Sequence, residues 1–380
     1  MSESRCGTLR STSPSRMIEI DVARVMATMF MVQGHTLDVL LAPAYRGGWF
    51  YNTWLFLRGL TAPTFLLLAG FSFMVSAMKH WDSYLDWTPA FFRRIRKFAI
   101  FMLLGYAMHL PVRSFRDLAS LDAAGWRGWF QVDVLQCIGL TLLVLQFLVL
   151  FCRRPERCAQ ISLAACAGVV LLSPLTARVE WANYLGLPFA SYLNFRTGSF
   201  FPLFPWSGYI LLGSAAGYGS VRWREQSHRL LRRTLPAAGL GLIIAGSLLT
   251  PFFSSADFWT SSPGLFLLRA GGVFLLVAAT AYATSLVKIP VHPTQSLAQE
   301  SLSIYFAHIC ILYGSVWNTG LRQTVGATLT AFSTAISALS LVCLMTAFGL
   351  GWHWLKRTEP RFSQLARTAA VFFAIAYCIA

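Results

Sequence analysis

Long apolar runs alternate with short polar breaks along the whole chain. Runs of roughly 20 apolar residues, enough as helices to cross a hydrocarbon core of about 30 Å, fall near 18–41, 54–78, 95–112, 129–151, 159–176, 203–220, 236–253, 264–287, 301–319 and 328–355. A weaker eleventh covers 363–380. The pattern predicts an all-α fold, a polytopic integral membrane helical bundle of about 10–11 transmembrane helices. No soluble domain, internal repeat or low-complexity segment interrupts it. Residues 17–380 read as one transmembrane domain, preceded by a tail over 1–16.

Composition agrees. Of the 380 residues, 56% are hydrophobic and 12% charged, whereas soluble domains carry about 25% charged residues. The net charge of +16 would suit nucleic acid. Its distribution argues against that partner, because Lys and Arg cluster in alternate short loops. With the N-terminus inside, 21 of the 31 fall in inner segments, nine in outer segments, and Arg24 remains within a span. This bias predicts a cytoplasmic N-terminus, and the chain is expected in the cell (inner) membrane. The Ser/Arg-rich tail lacks an apolar core and a small-residue cleavage site, so it reads as a cytoplasmic tail leading into a signal-anchor helix. The eight cysteines are scattered and form no CxxC pair, which predicts free thiols and neither a disulfide framework nor a metal site.

Chemistry concentrates in the first run. A charge at the centre of a membrane helix costs about 2.5–3.5 kcal/mol, so one retained there marks a functional candidate. Arg24 and His35 are separated by about three turns plus 20°, which puts them on one helix face roughly 16 Å apart. In the N-in orientation Arg24 is near the cytoplasm and His35 near the outside, an arrangement that suits a long anionic ligand. Asp38 follows His35 at i+3, within reach to orient the imidazole and raise its basicity. A histidine with a carboxylate partner is a general base for a hydroxyl or amine. The plain alternatives are a His35 that only packs and an Arg24 neutralised by Asp21 at i−3.

Further candidates lie downstream. Arg93 and Arg96 share a face at the cytoplasmic start of the third span, where helix amides also favour an anion. They form a phosphate clamp or, more simply, a positive-inside anchor. Asp133 and Gln136, near the outer end of the fourth span, are candidates for holding an acceptor. His308 lies mid-helix in the ninth span, as a packing residue or a site member. The aromatic outer segment 177–202, with Asn183, Tyr184, Tyr192 and Asn194, anchors at the interface or presents a sugar-binding surface. No Gly-rich phosphate loop, GxSxG, HExxH or CxxC occurs. Soluble-type nucleotide binding, serine hydrolysis and zinc catalysis lose their support.

These residues resemble a known family. The stretch IDVARVMATMFMVQGH resembles the first helix of the transmembrane acyltransferase superfamily, which carries an Arg, ten intervening residues and a His. RRIR matches the arginine pair opening the third helix of the related acyltransferase family three. Within the superfamily, APTFLLLAGFSF, QVDVLQCIGLTLLVL, FFPLFPWSGYILLG and ESLSIYFAHICILYG are similar to bacterial relatives of heparan-alpha-glucosaminide N-acetyltransferase. The likeness runs from Ile18 to about Gly314, with Val25 where the family usually has Gly.

The resemblance implies a membrane-embedded acyltransferase that uses cytoplasmic acyl-CoA, acetyl-CoA in particular, and acylates a hydroxyl or amine of an extracytoplasmic glycan or glycolipid. His35 would be catalytic, with Asp38 as its carboxylate partner. Arg24 would place the donor, and Arg93 and Arg96 would line its entry. Asp133, Gln136 and His308 remain candidates for the acceptor side. Direct transfer and an acyl-histidine intermediate are both open. The reading needs a lipid bilayer and is compatible with a homodimer. The competing classes are a proton-coupled multi-pass transporter and a non-catalytic family member.

Overall fold

The computed structural model describes residues 17–223, 230–253, 258–365 and 368–369. The tail over 1–16 and most of the eleventh run, 363–380, lie outside the described residues.

Each of the ten predicted spans contains a helix. In chain order these are α1 (Ile18–Leu40), α2 (Gly48–Arg58) leading into α3 (Thr61–Lys79), α4 (Pro89–Met108), α5 (Val134–Cys152) and α6 (Pro155–Thr176). They continue with α7 (Leu203–Arg222), α8 (Leu235–Leu249) and α9 (Pro263–Leu286), then a short helix between predicted spans, α10 (Val291–Gln299), then α11 (Ser301–Tyr313) and α12 (Ala331–Thr358). Among the described residues, six helical stretches are long and apolar enough to cross a membrane by length and composition. The protein is an all-α polytopic membrane bundle.

Several boundaries differ from those expected, and two of the largest shifts have local reasons. The third span was expected to open near residue 95, but α4 begins at Pro89. There Thr88 caps the Phe91 amide, and proline at the first position gives up no needed N–H. The ninth span was expected to reach residue 319, but α11 stops at Tyr313, where Gly314 takes φ +77°. That left-handed geometry favours glycine and ends the helix.

Lipid takes the place of water outside the bundle. Leu240, Ile244 and Leu248 form an outward stripe at i, i+4 and i+8 on α8, and Phe332, Ile336 and Leu339 form one at i, i+4 and i+7 on α12. Inside, helices approach closely because lipid tails offer no hydrophobic contrast and packing must supply the attraction. α7 packs against α3 and α6, and α8 against α9. A side chain at Gly70 would collide with the Ile210 carbonyl, and one at Gly213 with the Leu67 carbonyl. The α3–α7 contact is thus backbone on backbone. Overpacking costs about 1–3 kcal/mol even where side chains can yield. Gly213→Leu is therefore expected to lower the melting temperature of the detergent-solubilised protein clearly. An unchanged melting temperature would mean that α3 and α7 are not in this contact.

α1 sits at the centre of the chemistry because of what surrounds it. It packs against α3, α9, α10, α11 and α12. Its far end is tied to the start of α12, where Ala42 N donates to Leu329 O and Leu329 N to Leu40 O, both at 2.9 Å. Val32, Val39 and Leu40 join Leu297, Ile304, Leu312, Leu341 and Met345 in one apolar cluster. This interface brings residues near the end of the chain to the first helix.

Candidate functional site

At one end of α1, His35 meets His308 of α11. His35 Nδ1 and His308 Nε2 are 2.9 Å apart, and the two rings lie within 10° of parallel. Atoms of face-to-face rings stay about 3.5 Å apart, so these rings share a plane and the bond is in line with the lone pair. The second nitrogen of His308, Nδ1, lies 2.8 Å from Ile304 O. A carbonyl can only accept, so His308 Nδ1 carries the proton and, in a neutral ring, Nε2 does not. His308 Nε2 then accepts from His35 Nδ1–H. Neutral His35 is left with a lone pair on Nε2, directed away from His308. His308 is fully buried. One backbone carbonyl therefore sets the tautomers of both histidines.

Asp38 has another partner than the one expected. Its carboxylate forms a two-pronged ion pair with Arg58 of α2: Arg58 Nη1 donates to Oδ1 at 2.6 Å and Nη2 to Oδ2. The expectation that Asp38 orients the His35 imidazole is corrected accordingly. The planar guanidinium fits a carboxylate face to face, and His35 Nδ1 is already taken by His308. Gly34 makes room for this pair. A Cβ there would lie 2.8 Å from Arg58 Nε. Trp54, one turn before Arg58, donates from Nε1 to Gln33 Oε1 at 3.1 Å. α2 is thereby fastened along the turn of α1 that carries His35.

Tyr313, the last residue of α11, places its ring edge-on to His35, with centroids 5.8 Å apart. Tyr305, three residues before His308 on the same helix, touches that ring edge-on at 5.7 Å. Tyr305 donates to Asp133 Oδ2 at 2.8 Å, and His109 Nε2 stands 3.4 Å from the same oxygen. Asp133 thus joins the neighbourhood of the histidine pair through Tyr305. Its other oxygen accepts the Val134 amide at 2.6 Å and begins α5.

Gln136 is fully buried and spent on the backbone. Its Oε1 accepts from Asp133 N at 3.2 Å, and its Nε2 donates to Gln131 O at 3.3 Å. The pair forms a capping box. The aromatic outer segment is likewise part of the scaffold. Asn194 donates to Thr176 O and Val179 O, both at 2.8 Å, and the Tyr192 and Tyr106 hydroxyls are 2.9 Å apart.

At the other end of α1, Arg24 donates from Nη2 to Ser72 Oγ of α3 at 2.7 Å, with Leu68 O at 3.4 Å. Buried Asp21 lies one turn away. On α4, Arg94 is a structural residue: it donates to Gln146 Oε1 at 2.8 Å and Ser83 O at 2.6 Å, and lies 3.7 Å from the centre of the Tyr84 ring. Arg93 and Arg96 are exposed. They sit beyond the first turn of a helix that opens at Pro89, so its N-terminal amides do not reinforce them as expected. Among the described residues no group of three His, Cys, Asp or Glu side chains is arranged to hold a metal ion.

Sequence reading missed Arg58, Tyr305, Tyr313 and Ser72. Tyr305 was within reach, since it shares a helix face with His308 at i, i+3. Nothing local marks Arg58, one of the nine cations of the outer segments.

An all-helical bundle with a paired intramembrane histidine defines an integral membrane protein built for polar chemistry within the bilayer. Residues 16–253 match the family model for the catalytic region of heparan-alpha-glucosaminide N-acetyltransferase. The match covers more than half of the chain, and the protein belongs to this family of membrane acetyltransferases. The segment carrying Tyr305, His308 and Tyr313 lies beyond the matched region. No curated protein matches the chain.

Proposed function

We propose that the protein moves an acetyl group from cytoplasmic acetyl-CoA to a hydroxyl or amine of an extracytoplasmic glycan or glycolipid, with His35 as the general base. The observation that carries this reading is the bond from His308 Nδ1 to Ile304 O. It leaves His35 Nε2 as an acceptor within the bundle, which is what deprotonating an incoming nucleophile requires. The family adds the acetyl chemistry, and Lys/Arg asymmetry puts the Arg24 end at the cytoplasm and the His35 end outside.

In this reading Arg24 holds the donor near the cytoplasmic end, by a carbonyl or phosphate. Its bond to Ser72 keeps the guanidinium in place, and Arg93 and Arg96 are exposed cations at the mouth. The pantetheine arm runs along α1 toward His35, over the rise of roughly 16 Å between the two residues. His35 Nε2 takes the acceptor proton as the acceptor attacks the thioester carbon. The C–S bond breaks with its electron pair on sulfur, and the proton passes to the thiolate to give free CoA. Asp38 and Arg58 hold the outer turn of α1 in register. Asp133, with Tyr305 and His109, lies where acceptor groups would be oriented, while Gln136 serves by shaping that helix end.

Two measurements test it. Acetyl-CoA should stabilise the purified protein thermally, and membranes containing it should release CoA thiol. Arg24→Ala should raise the KM for acetyl-CoA about 10- to 100-fold, equivalent to losing a charged hydrogen bond of about 1.5–3 kcal/mol, with a smaller effect on kcat. A KM unchanged by Arg24→Ala would remove this residue from the donor site. Absence of any acetyl-CoA-dependent stabilisation would remove the donor itself.

A further inference from the structure

A base alone leaves half of the reaction unassisted. As the acceptor attacks, the thioester carbonyl oxygen takes up negative charge, and a donor aimed at that oxygen is commonly the larger contribution. The donors around His35 are mostly engaged. Both terminal nitrogens of Arg58 are on Asp38, the Tyr305 hydroxyl is on Asp133, and the Trp54 N–H is on Gln33.

Tyr313 is different. Its ring contacts His35 directly. Its hydroxyl makes no hydrogen bond among the described residues and is not fully enclosed by protein. Its backbone is nonetheless held in place, since Tyr313 O accepts from Gln323 Nε2 at 2.8 Å and Gly314 N donates to Cys310 O at 3.0 Å. The Arg322 guanidinium lies 5.9 Å from the centre of the Tyr313 ring. An uncommitted O–H on a fixed ring beside the base, with a cation behind it, is suited to receive developing negative charge.

Building on the acetyl-transfer reading, we propose that Tyr313 is a further catalytic residue, whose hydroxyl donates a hydrogen bond to the thioester carbonyl oxygen during transfer. Reacting atoms must lie about 3–3.5 Å apart, so a group against the His35 ring is within reach of the carbonyl carbon's substituents. The carbonyl π pair moves onto oxygen as the acceptor bond forms, and Tyr313 holds that oxygen without giving up its proton. When the C=O bond re-forms, the thiolate leaves and takes the proton that His35 removed. The products are acetylated acceptor and CoA thiol, and Tyr313 ends unchanged.

The test is Tyr313→Phe in the full-length chain, assayed as CoA thiol release from acetyl-CoA in membrane vesicles in which the unsubstituted chain is active. Phenylalanine keeps the ring contacts with His35 and Arg322 and removes only the hydroxyl. A loss of about 10²–10³-fold in kcat, as for removing one oxyanion donor, with KM for acetyl-CoA within about threefold, supports the proposal. A kcat within about threefold of the parent, or a loss confined to KM, overturns it. Incorporation of 3-fluorotyrosine at 313, which keeps size and hydrogen bonding but acidifies the hydroxyl, gives a second readout if the Phe variant is unstable. An alkaline limb of the pH–rate profile that moves to lower pH supports the role, and an unmoved limb overturns it. His35→Ala measured alongside separates the two ideas. An inactive His35→Ala with an active Tyr313→Phe overturns only the tyrosine, whereas an active His35→Ala overturns the reading beneath it.

Discussion

His35→Ala is expected to reduce acetyl transfer by about 10²–10⁴-fold, the usual range for removing a general base, while acetyl-CoA still binds. The separation follows from geometry. His35 lies about three turns of helix from Arg24, so removing the imidazole leaves the donor-holding end intact. The variant should keep the thermal shift given by acetyl-CoA and lose thiol release. His35→Gln is the sharper comparison. A glutamine carbonyl accepts a hydrogen bond but does not take a proton at neutral pH, so it should remain inactive while occupying the same space. Substantial activity in either variant would place the base elsewhere. The variant should also leave the bundle standing, because the apolar cluster around α1 rests on Val32, Val39 and Leu40.

The second large effect is expected at His308, which need not touch substrate. Its role is to accept from His35 Nδ1, so that Nε2 of His35 remains unprotonated. In His308→Leu that acceptor disappears, and His35 is free to turn its ring or to carry its proton on the wrong nitrogen. A loss of roughly 10²-fold in kcat is expected, at the lower end of what a general base contributes, with little change in the KM for acetyl-CoA. His308→Gln distinguishes positioning from packing, since its side-chain oxygen can accept from His35 Nδ1. Recovery of a large part of the rate in His308→Gln, compared with His308→Leu, is the expected result. Equal losses in the two would mean that His308 acts in another way, as a proton carrier or a packing residue.

The histidine pair explains why sequence reading found its members but not their relation. Both residues stand out singly, as polar groups in apolar helices. They are 273 positions apart in the chain, and no spacing rule connects α1 to α11. The carboxylate at i+3 was the visible partner for His35, and helix periodicity supports that pairing. Tertiary packing supplied two competitors. α11 presented an imidazole in plane with Nδ1, and α2 brought Arg58, a better geometric match for the Asp38 carboxylate. Gln136 shows the same limit in a different form. A glutamine three residues after an aspartate was as consistent with a capping box as with an acceptor site, and the helix start at Val134 selected the box.

The sequence by itself determined what depends on local and one-dimensional physics. Apolar length set the number and place of the helices, because a run of about 20 residues has to be helical and buried in lipid. The cost of intramembrane charge singled out Arg24, His35, Asp133 and His308, and helix periodicity put Arg24 and His35 on one face. Tertiary structure alone decided which polar groups satisfy one another. In the bundle interior few waters compete, so most buried donors and acceptors take the partner that packing delivers. α1 received His308 and Arg58 from helices at opposite ends of the sequence, and that packing turned a solitary intramembrane histidine into a base with a defined free nitrogen.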